Sequence, residues 1–478
     1  MLRALAFFRY RFDSDEQQHL HVAWAWTKGL VQYRDVFDNH LPLFHMLMAP
    51  FVALFGERAN ILLWMRLPML ALFGIVIWAT YAIAREVCDE RCAAWSVVLL
   101  ALFPPFFLKS LEFRNDNLWT AFWMLAMVGL VRRWRPFVIG LLLGCAFAVS
   151  IKTVVLLIAL IVAKRQKWLE ILAGLVVVPA VLATYFVSVG AWDELLYCNI
   201  TFNSLFALTR TNLWILCALF PLLLVGVIWF ARRFDLSFFA VIIAVYAITL
   251  PPLGVPISPR DFLPLMPLAA ILAARALTRV RSLAAITLAF IVAIFYYADG
   301  FANKTAWYVT MMHQALRLTR PGEMIMDIKG ETIFRRRPFY YVFENLTRAQ
   351  MVRGIIRDTV AGDVIRTRTH VAQADGPMWP PQARAFLSEN FLDMGRLRAS
   401  GQWLHSDGTF TIAVPGEYMI VNERGESHGV LDGTTYTGAR ELAAGAHRFI
   451  GVKQQTAVVW APAVRRGHSP FHLRDREF

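Results

Sequence analysis

The stretch PFVIGLLLGCAFAVSIKTVVLLIALIVA, residues 136–163, decides the architecture. Read as one helix, it crosses a bilayer once at a tilt. Read as two, it turns back at Ser150-Ile151-Lys152, and its second limb, Thr153 to Ala163, is short for a full span. The basic residues elsewhere arbitrate. With a hairpin here and the acidic segment near Asp13 outside, Arg85/Arg91, Arg132/Arg133/Arg135, Lys164/Arg165/Lys167, Arg232/Arg233 and Arg279/Arg281 all fall in the cytoplasm. The positive-inside rule is then met at every turn, and a single helix would put the later loops on the wrong side.

Outward from the hairpin, the chain of 478 residues is 58% hydrophobic and only 17% charged. That composition predicts a polytopic α-helical membrane protein of about ten spans. The spans expected are Ile61 to Ala84, Cys92 to Lys109, Asn117 to Val131, Pro136 to Ser150, Thr153 to Ala163, Trp168 to Gly190, Leu213 to Ala231, Leu236 to Pro251, Asp261 to Leu277 and Ser282 to Ala298. Leu43 to Gly56 is too short and reads as a juxtamembrane or re-entrant helix. The net charge of +14 comes with no nucleic-acid motif and sits beside hydrophobic segments, so membrane topology accounts for it. The five cysteines lie within the hydrophobic region, which argues against a disulfide scaffold, and Cys88/Cys92 reads as an incidental pair. Met1 to Phe12, with Arg3, Arg9 and Arg11, is too short and too charged to span. Leu2 to Phe8 reads as the outer end of a first helix whose remainder upstream codons would encode.

From Asp299 the composition becomes that of a water-soluble segment. Met324 to Ile328 reads as a buried strand, and Arg348 to Val360 and Pro381 to Asn390 as helices. After Gly401, short alternating runs at Phe410 to Val414, Glu417 to Val421, His428 to Leu431, His447 to Gly451 and Ala457 to Trp460 predict a small β-sandwich, followed by a disordered basic tail. Three domains are expected: a membrane domain over 1–298, an α/β unit over 299–403 and the β-sandwich module over 404–478, the last two on the outer side.

Four outer elements carry the chemistry: the acidic loop from Asp13; Lys109 to Asn117 with Glu112, Arg114 and Asp116; the turn at Lys152; and Pro256 to Asp261 with Arg260. Three carboxylates in Asp13-Ser14-Asp15-Glu16 need water, a cation or a reacting group beside them. A mixture of carboxylates and cations at one membrane face suits a lipid-linked anionic substrate such as a polyprenyl-phosphate sugar. Plainer readings stand beside this one. Asp13 or Ser14 caps a helix, Asp116 caps the helix from Asn117, Lys152 snorkels, Arg260 pairs with Asp261, and His19, His21 and His45 are interfacial residues. A secondary transporter or flippase of a lipid-linked anion is the alternative activity, disfavoured because the carboxylates lie at outer ends and the two halves do not repeat. A polytopic scaffold is a third.

Asp15-Glu16, the Tyr33-Arg34-Asp35 to His40-Leu41-Pro42 segment, Arg66-Leu67-Pro68, Arg114-Asn115-Asp116, Gly140 to Gly144 leading to Lys152, and Arg260 opening a Pro-containing helix together form an ordered set. In order and spacing, from about Asp13 to Ala298, the chain resembles the membrane-embedded GT-C glycosyltransferases, the group that contains protein O-mannosyltransferases and the bacterial aminoarabinose transferase of lipid A. The resemblance implies a glycosyltransferase of the bacterial inner membrane with its active site on the periplasmic side. The donor would be a polyprenyl-phosphate sugar, the acceptor a lipid, glycan or protein, and transfer would invert the anomeric carbon. Asp15 would be the catalytic carboxylate, with Glu16 beside it and Asp116 as a second acid. Lys152 and Arg260 would hold the carrier phosphate, with His40 and Arg114 in the same service. Asp13-Ser14-Asp15 matches a minimal DxD, yet single-phosphate donors in this group do not generally need a metal, so neither metal nor cofactor is expected.

Overall fold

The computed structural model describes residues 1–163, 166–207, 238–250, 258–277, 283–374, 376, 378–451 and 454–472. They form two units, Met1–Leu54 with Leu62–Lys304, and Phe55–Ile61 with Thr305–Phe478.

The first unit is helical: α1 (Leu2–Arg9), α2 (Ser14–Thr27), α3 (Leu43–Phe55), α4 (Ile61–Val87), α5 (Glu90–Leu102), α6 (Pro104–Lys109), α7 (Asn115–Val131), α8 (Pro136–Val149), α9 (Thr153–Ala163), α10 (Trp168–Ser188), α11 (Trp192–Leu196) and α12 (Phe202–Ala207), then helices Phe238–Thr249, Met266–Leu277 and Leu283–Tyr297. The hairpin forms, with α8 ending at an extended Ser150 before α9 begins. Among the described residues, by length and composition only α4 and α10 are long enough to cross a membrane; α3, α8, α9, Phe238–Thr249, Met266–Leu277 and Ala284–Tyr297 are apolar but shorter. The expected span Cys92 to Lys109 is broken into α5 and α6, because Pro104 bars its predecessor Phe103 from helical geometry. The span expected at Leu213 to Ala231 lies outside the described residues, as do Lys164, Arg165, Arg232, Arg233, Arg279 and Arg281. The described cysteines form no disulfide with one another.

Two devices position the segments that carry the candidate residues. Along α8 and α10 the backbones touch: a Cβ on Gly140 would lie 2.0 Å from the Ile171 carbonyl oxygen, and one on Gly144 2.4 Å from that of Leu175. Only glycine allows this crossing, which fixes the arm leading to Lys152. Exposed Leu169, Val176, Val181 and Val187 give α10 an apolar outer face, which suits lipid better than water. The second device is Arg66 of α4, fully buried. It donates to the carbonyls of Ala6 (3.4 Å), Phe7, Tyr10 (2.9 Å) and Arg11 (3.1 Å), satisfying orphan acceptors at the end of α1 just before the acidic loop.

In the second unit, an eight-stranded sheet has the order β1 (Ile325–Met326), β2 (Val371–Gln373), β4 (Leu397–Trp403), β12 (Thr456–Trp460), β6 (Gly416–Asn422), β10 (Arg440–Leu442), with β3 (Phe391–Asp393) on β4 and β7 (Gly425–Glu426) on β6. A four-stranded sheet runs β5 (Thr409–Ile412), β11 (Gly445–Gly451), β8 (Gly429–Leu431), β9 (Thr434–Tyr436). The five alternating runs all appear as strands. The boundary expected at 403/404 does not divide the unit: the first half of β4 pairs with β2 and β3, and its second half with β12. Helix Pro381–Asn390 forms as expected. Arg348 to Val360 does not form a helix throughout. Helix Asn345–Val352 stops before Gly354, whose φ of 72° leaves the helix, and Val360–Arg366 starts afresh with the Asp358 carboxylate on the Val360 amide at 3.2 Å. The expected tail is ordered at its start, where Arg466 grips both oxygens of Glu323 at 2.7 and 2.8 Å and His468 is buried; residues 473–478 lie outside the described residues.

Candidate active site

α2 begins with a capping box. The Asp13 carboxylate accepts the Asp15 amide at 3.2 Å, and Glu16 Oε1 accepts the Asp13 amide at 2.8 Å. Glu16 Oε2 takes the amide of Phe113 at 2.8 Å. Both oxygens of Glu16 are thus spent on backbone, and the residue ties the start of α2 to the segment before α7. Burial, and the like charge of Glu112, push its carboxyl up to about 7 although Arg66 pulls the other way.

Around this anchor runs a chain of ion pairs. Lys109 Nζ reaches Glu112 Oε1 at 2.8 Å, Glu112 Oε2 takes Arg260 Nε at 2.8 Å, and Arg260 Nη2 reaches Asp13 Oδ2 at 2.6 Å. Arg114 continues the chain, with Nη1 on Asp13 at 3.2 Å and on Asp15, and Nε on Asp116 at 3.1 Å. Lys152 pairs with Asp261, whose other oxygen accepts the Ser258 amide at 2.7 Å. Burial and Asp15 act to raise the Asp13 pKa, but Arg114, Arg260 and the Asp15 amide outweigh them and hold it below the usual carboxylate range.

The plainer readings can now be weighed. Arg260 does not choose Asp261 but reaches across to Asp13 and Glu112, 247 and 148 residues away. Lys152 takes Asp261 instead. Asp116 does not cap α7, whose N-cap position is Arg114 with no side-chain cap, and serves as a partner of Arg114. Six of the expected residues, Asp15, Glu16, Asp116, Lys152, Arg260 and Arg114, come together here. His40 joins a neighbouring cluster, with Nδ1 2.9 Å from Asp38 Oδ1 and its ring 4.6 Å from that of His19.

Asp13, Glu112 and Asp261 were not singled out as site residues from the sequence. A capping pattern, Ser258 followed three residues later by Asp261, was available as a local signal. Lys109 and Glu112 at i,i+3 were another. Nothing local links Arg260 to Glu112.

The differences in exposure are informative. Glu112 is 1% exposed, Asp116 and Arg114 9% each, Asp13 14% and Arg260 16%, whereas Asp15 is 26% and Lys152 25% exposed. Asp15 and Lys152 are therefore the most exposed carboxylate and cation of the network.

Residues 39–192 match the model of the dolichyl-phosphate-mannose-protein mannosyltransferase family. ArnT from Cupriavidus metallidurans in the apo state is similar over 84% of this chain and 95% of its own, with 15% identity and a TM-score of 0.55. The same protein bound to undecaprenyl phosphate matches over 83% and 95%, with 14% identity and a TM-score of 0.55. No curated protein sequence matches the chain. At such identities the likeness is one of fold: a helical unit followed by a unit bearing sheets.

Proposed function

We propose that this chain, which has the GT-C glycosyltransferase fold, transfers a sugar from a polyprenyl-phosphate-linked donor to an acceptor hydroxyl or amine at the periplasmic face of the bacterial inner membrane. The observation that carries the reading is the pairing of one accessible carboxylate, Asp15, with one accessible cation, Lys152, at the edge of an otherwise buried ion network. The likeness in fold to a protein solved with undecaprenyl phosphate supports the donor class.

In this reading Asp15 receives the acceptor proton as the acceptor oxygen or nitrogen bonds to the anomeric carbon. The bond from that carbon to the phosphate oxygen breaks on the opposite face, so configuration inverts, and the polyprenyl phosphate departs with the electron pair. Lys152, which gives Asp261 one of its three N–H groups, and Arg260 meet the charge that develops on the leaving oxygen. Arg114 holds the Asp15 carboxylate in place, Asp116 orients Arg114, and Glu16 holds the start of α2. His40, engaged with Asp38, is left out of this scheme.

The test is transfer of label from a radiolabelled polyprenyl-phosphate sugar pool by the purified protein. Asp15→Asn is expected to lower turnover by at least about a hundredfold, the scale of a general base, with normal yield and melting behaviour. Near-normal transfer by that variant would sink the assignment. A flippase would instead move the donor with its sugar–phosphate bond intact, which product analysis detects.

A further inference from the structure

One turn along α2 from Asp15, the reaction scheme leaves a second polar group unused. His19 and Asp38 are fully buried, and so is His45 of α3. His19 Nδ1 lies 2.9 Å from His45 Nε2, and His45 Nδ1 lies 3.4 Å from Asp38 Oδ2. Gln18 and Gln32 also donate to Asp38, at 3.3 and 2.8 Å, and His40 Nδ1 faces Asp38 Oδ1 at 2.9 Å. His19 Nε2 ends this line of contacts: it is buried and, among the described residues, meets no hydrogen-bond partner. A buried polar atom without a partner is costly and asks for a reason.

The network supplies one. Gln32 Nε2 also lies 3.2 Å from His45 Nδ1. When the His45 proton sits on Nδ1, toward Asp38, His45 accepts from His19 at Nε2 and leaves His19 Nε2 a bare lone pair, the form that binds a metal. Among the described residues, ligand atoms of His19, Asp38 and His40 lie within 4.8 Å of one another.

We propose that His19, Asp38 and His40 form a binding site for a divalent transition metal of the zinc type. Two imidazoles and one carboxylate are the donor set that Zn2+ prefers and that Mg2+ and Ca2+ do not. A tetrahedral ion with bonds of about 2.0 Å needs ligand atoms about 3.3 Å apart. His40 Nδ1 and Asp38 Oδ1 nearly satisfy that, so the ion would replace the proton between them. His40 lies on a loop, its side chain 28% exposed and its ring 4.6 Å from that of His19. The outer partners of a metal site are present too: His45 on His19 Nδ1, and Gln18 and Gln32 on Asp38. Bound there, the ion would clamp α2 to the loop before α3. Asp15 and His19 are four residues apart on one face of α2, so the clamp would set the position of Asp15 without touching substrate. The site stands on its ligands and does not rest on the transfer reaction.

The test uses the purified full chain, stripped with chelator and titrated with Co2+ and Zn2+. Expected are about one Co2+ per chain, the visible absorption of a tetrahedral nitrogen–oxygen site, and displacement of that spectrum by Zn2+. His19→Ala and His40→Ala are each expected to weaken binding at least about tenfold, since even an outer partner is worth that much. If His19→Ala does not fold, His40→Ala carries the test alone. His428→Ala, an exposed histidine of the second unit, should leave the spectrum unchanged. Absence of a cobalt spectrum, its survival in the His40 variant, or its loss in the His428 variant would overturn the site.

Discussion

Removal of the Lys152 ammonium tests the phosphate assignment most directly. Among the described residues Lys152 pairs with Asp261, which is 4% exposed and also accepts the Ser258 amide. If the ammonium holds the donor phosphate, Lys152→Ala loses one charge-assisted contact, about 1.5 to 3 kcal/mol, or roughly 10- to 150-fold in Kd. A second effect acts in the same direction. The substitution leaves Asp261 without its cation, and a carboxylate about 5 Å from a phosphate repels it by up to about 3 kcal/mol at an effective dielectric of about 20. The expected loss is therefore in the upper half of that range. Asp261→Asn keeps an oxygen for the Ser258 amide while removing the charge that competes for Lys152. It is expected to tighten binding on its own and to recover part of the loss when combined with Lys152→Ala. Titration of short-chain polyprenyl phosphate into detergent-solubilised protein at fixed ionic strength measures each Kd, with melting curves to certify folding. Affinities within about twofold of the parent in both single variants would show that Lys152 serves only to lock the turn between α8 and α9 to Asp261.

Two further outcomes are expected. Arg114→Gln removes the guanidinium that Asp13, Asp15 and Asp116 share, so denaturant titration should show a loss of about 3 to 5 kcal/mol, partly restored by adding Asp116→Asn; simple additivity of the two changes would break the argument. In the second unit, burial and the nearby Asp327 push the Glu331 carboxyl up to about 7, so the folded state keeps a proton that the unfolded state gives up from about pH 4.5. Stability from this group is full below that pH and falls as pH rises toward 7, so Glu331→Gln should raise the melting temperature at pH 8 and leave it almost unchanged at pH 4; an equal shift at both would refute the linkage.

What was legible in the sequence divides by range. The hairpin at Ser150 was readable because sidedness sums over many basic residues, and the α2 cap and the Pro381 helix were readable because their signals are local. The partners within the site were not, because Arg260 meets Asp13 across 247 positions and Glu16 meets Phe113 across 97. β4 escaped notice for another reason. Its sequence, Leu397-Arg398-Ala399-Ser400-Gly401-Gln402-Trp403, is small and polar without clean alternation, because it is paired on both edges and Gly401 lies so close to β12 that a Cβ there would sit 2.3 Å from the Val458 oxygen. Missing that one strand split a continuous sheet into two modules.

The residues that drew attention by their spacing fall into two physical groups. Glu16 and Arg66 have no exposed surface, and their side chains meet backbone: two amides for Glu16, four carbonyls for Arg66. Groups so placed have exchanged water for fixed partners, and a substrate could reach them only by breaking bonds that would be left buried and unmet. Asp15 and Lys152 keep about a quarter of their surface open and are each held by an ion of opposite charge, which a phosphate or an acceptor can displace at modest cost. A motif that counts both kinds alike, as Asp15-Glu16 does, therefore marks a site without telling which neighbour reacts. Burial makes that distinction: it suits Glu16 to holding the loop and leaves Asp15 as the carboxylate that the proposed reaction uses.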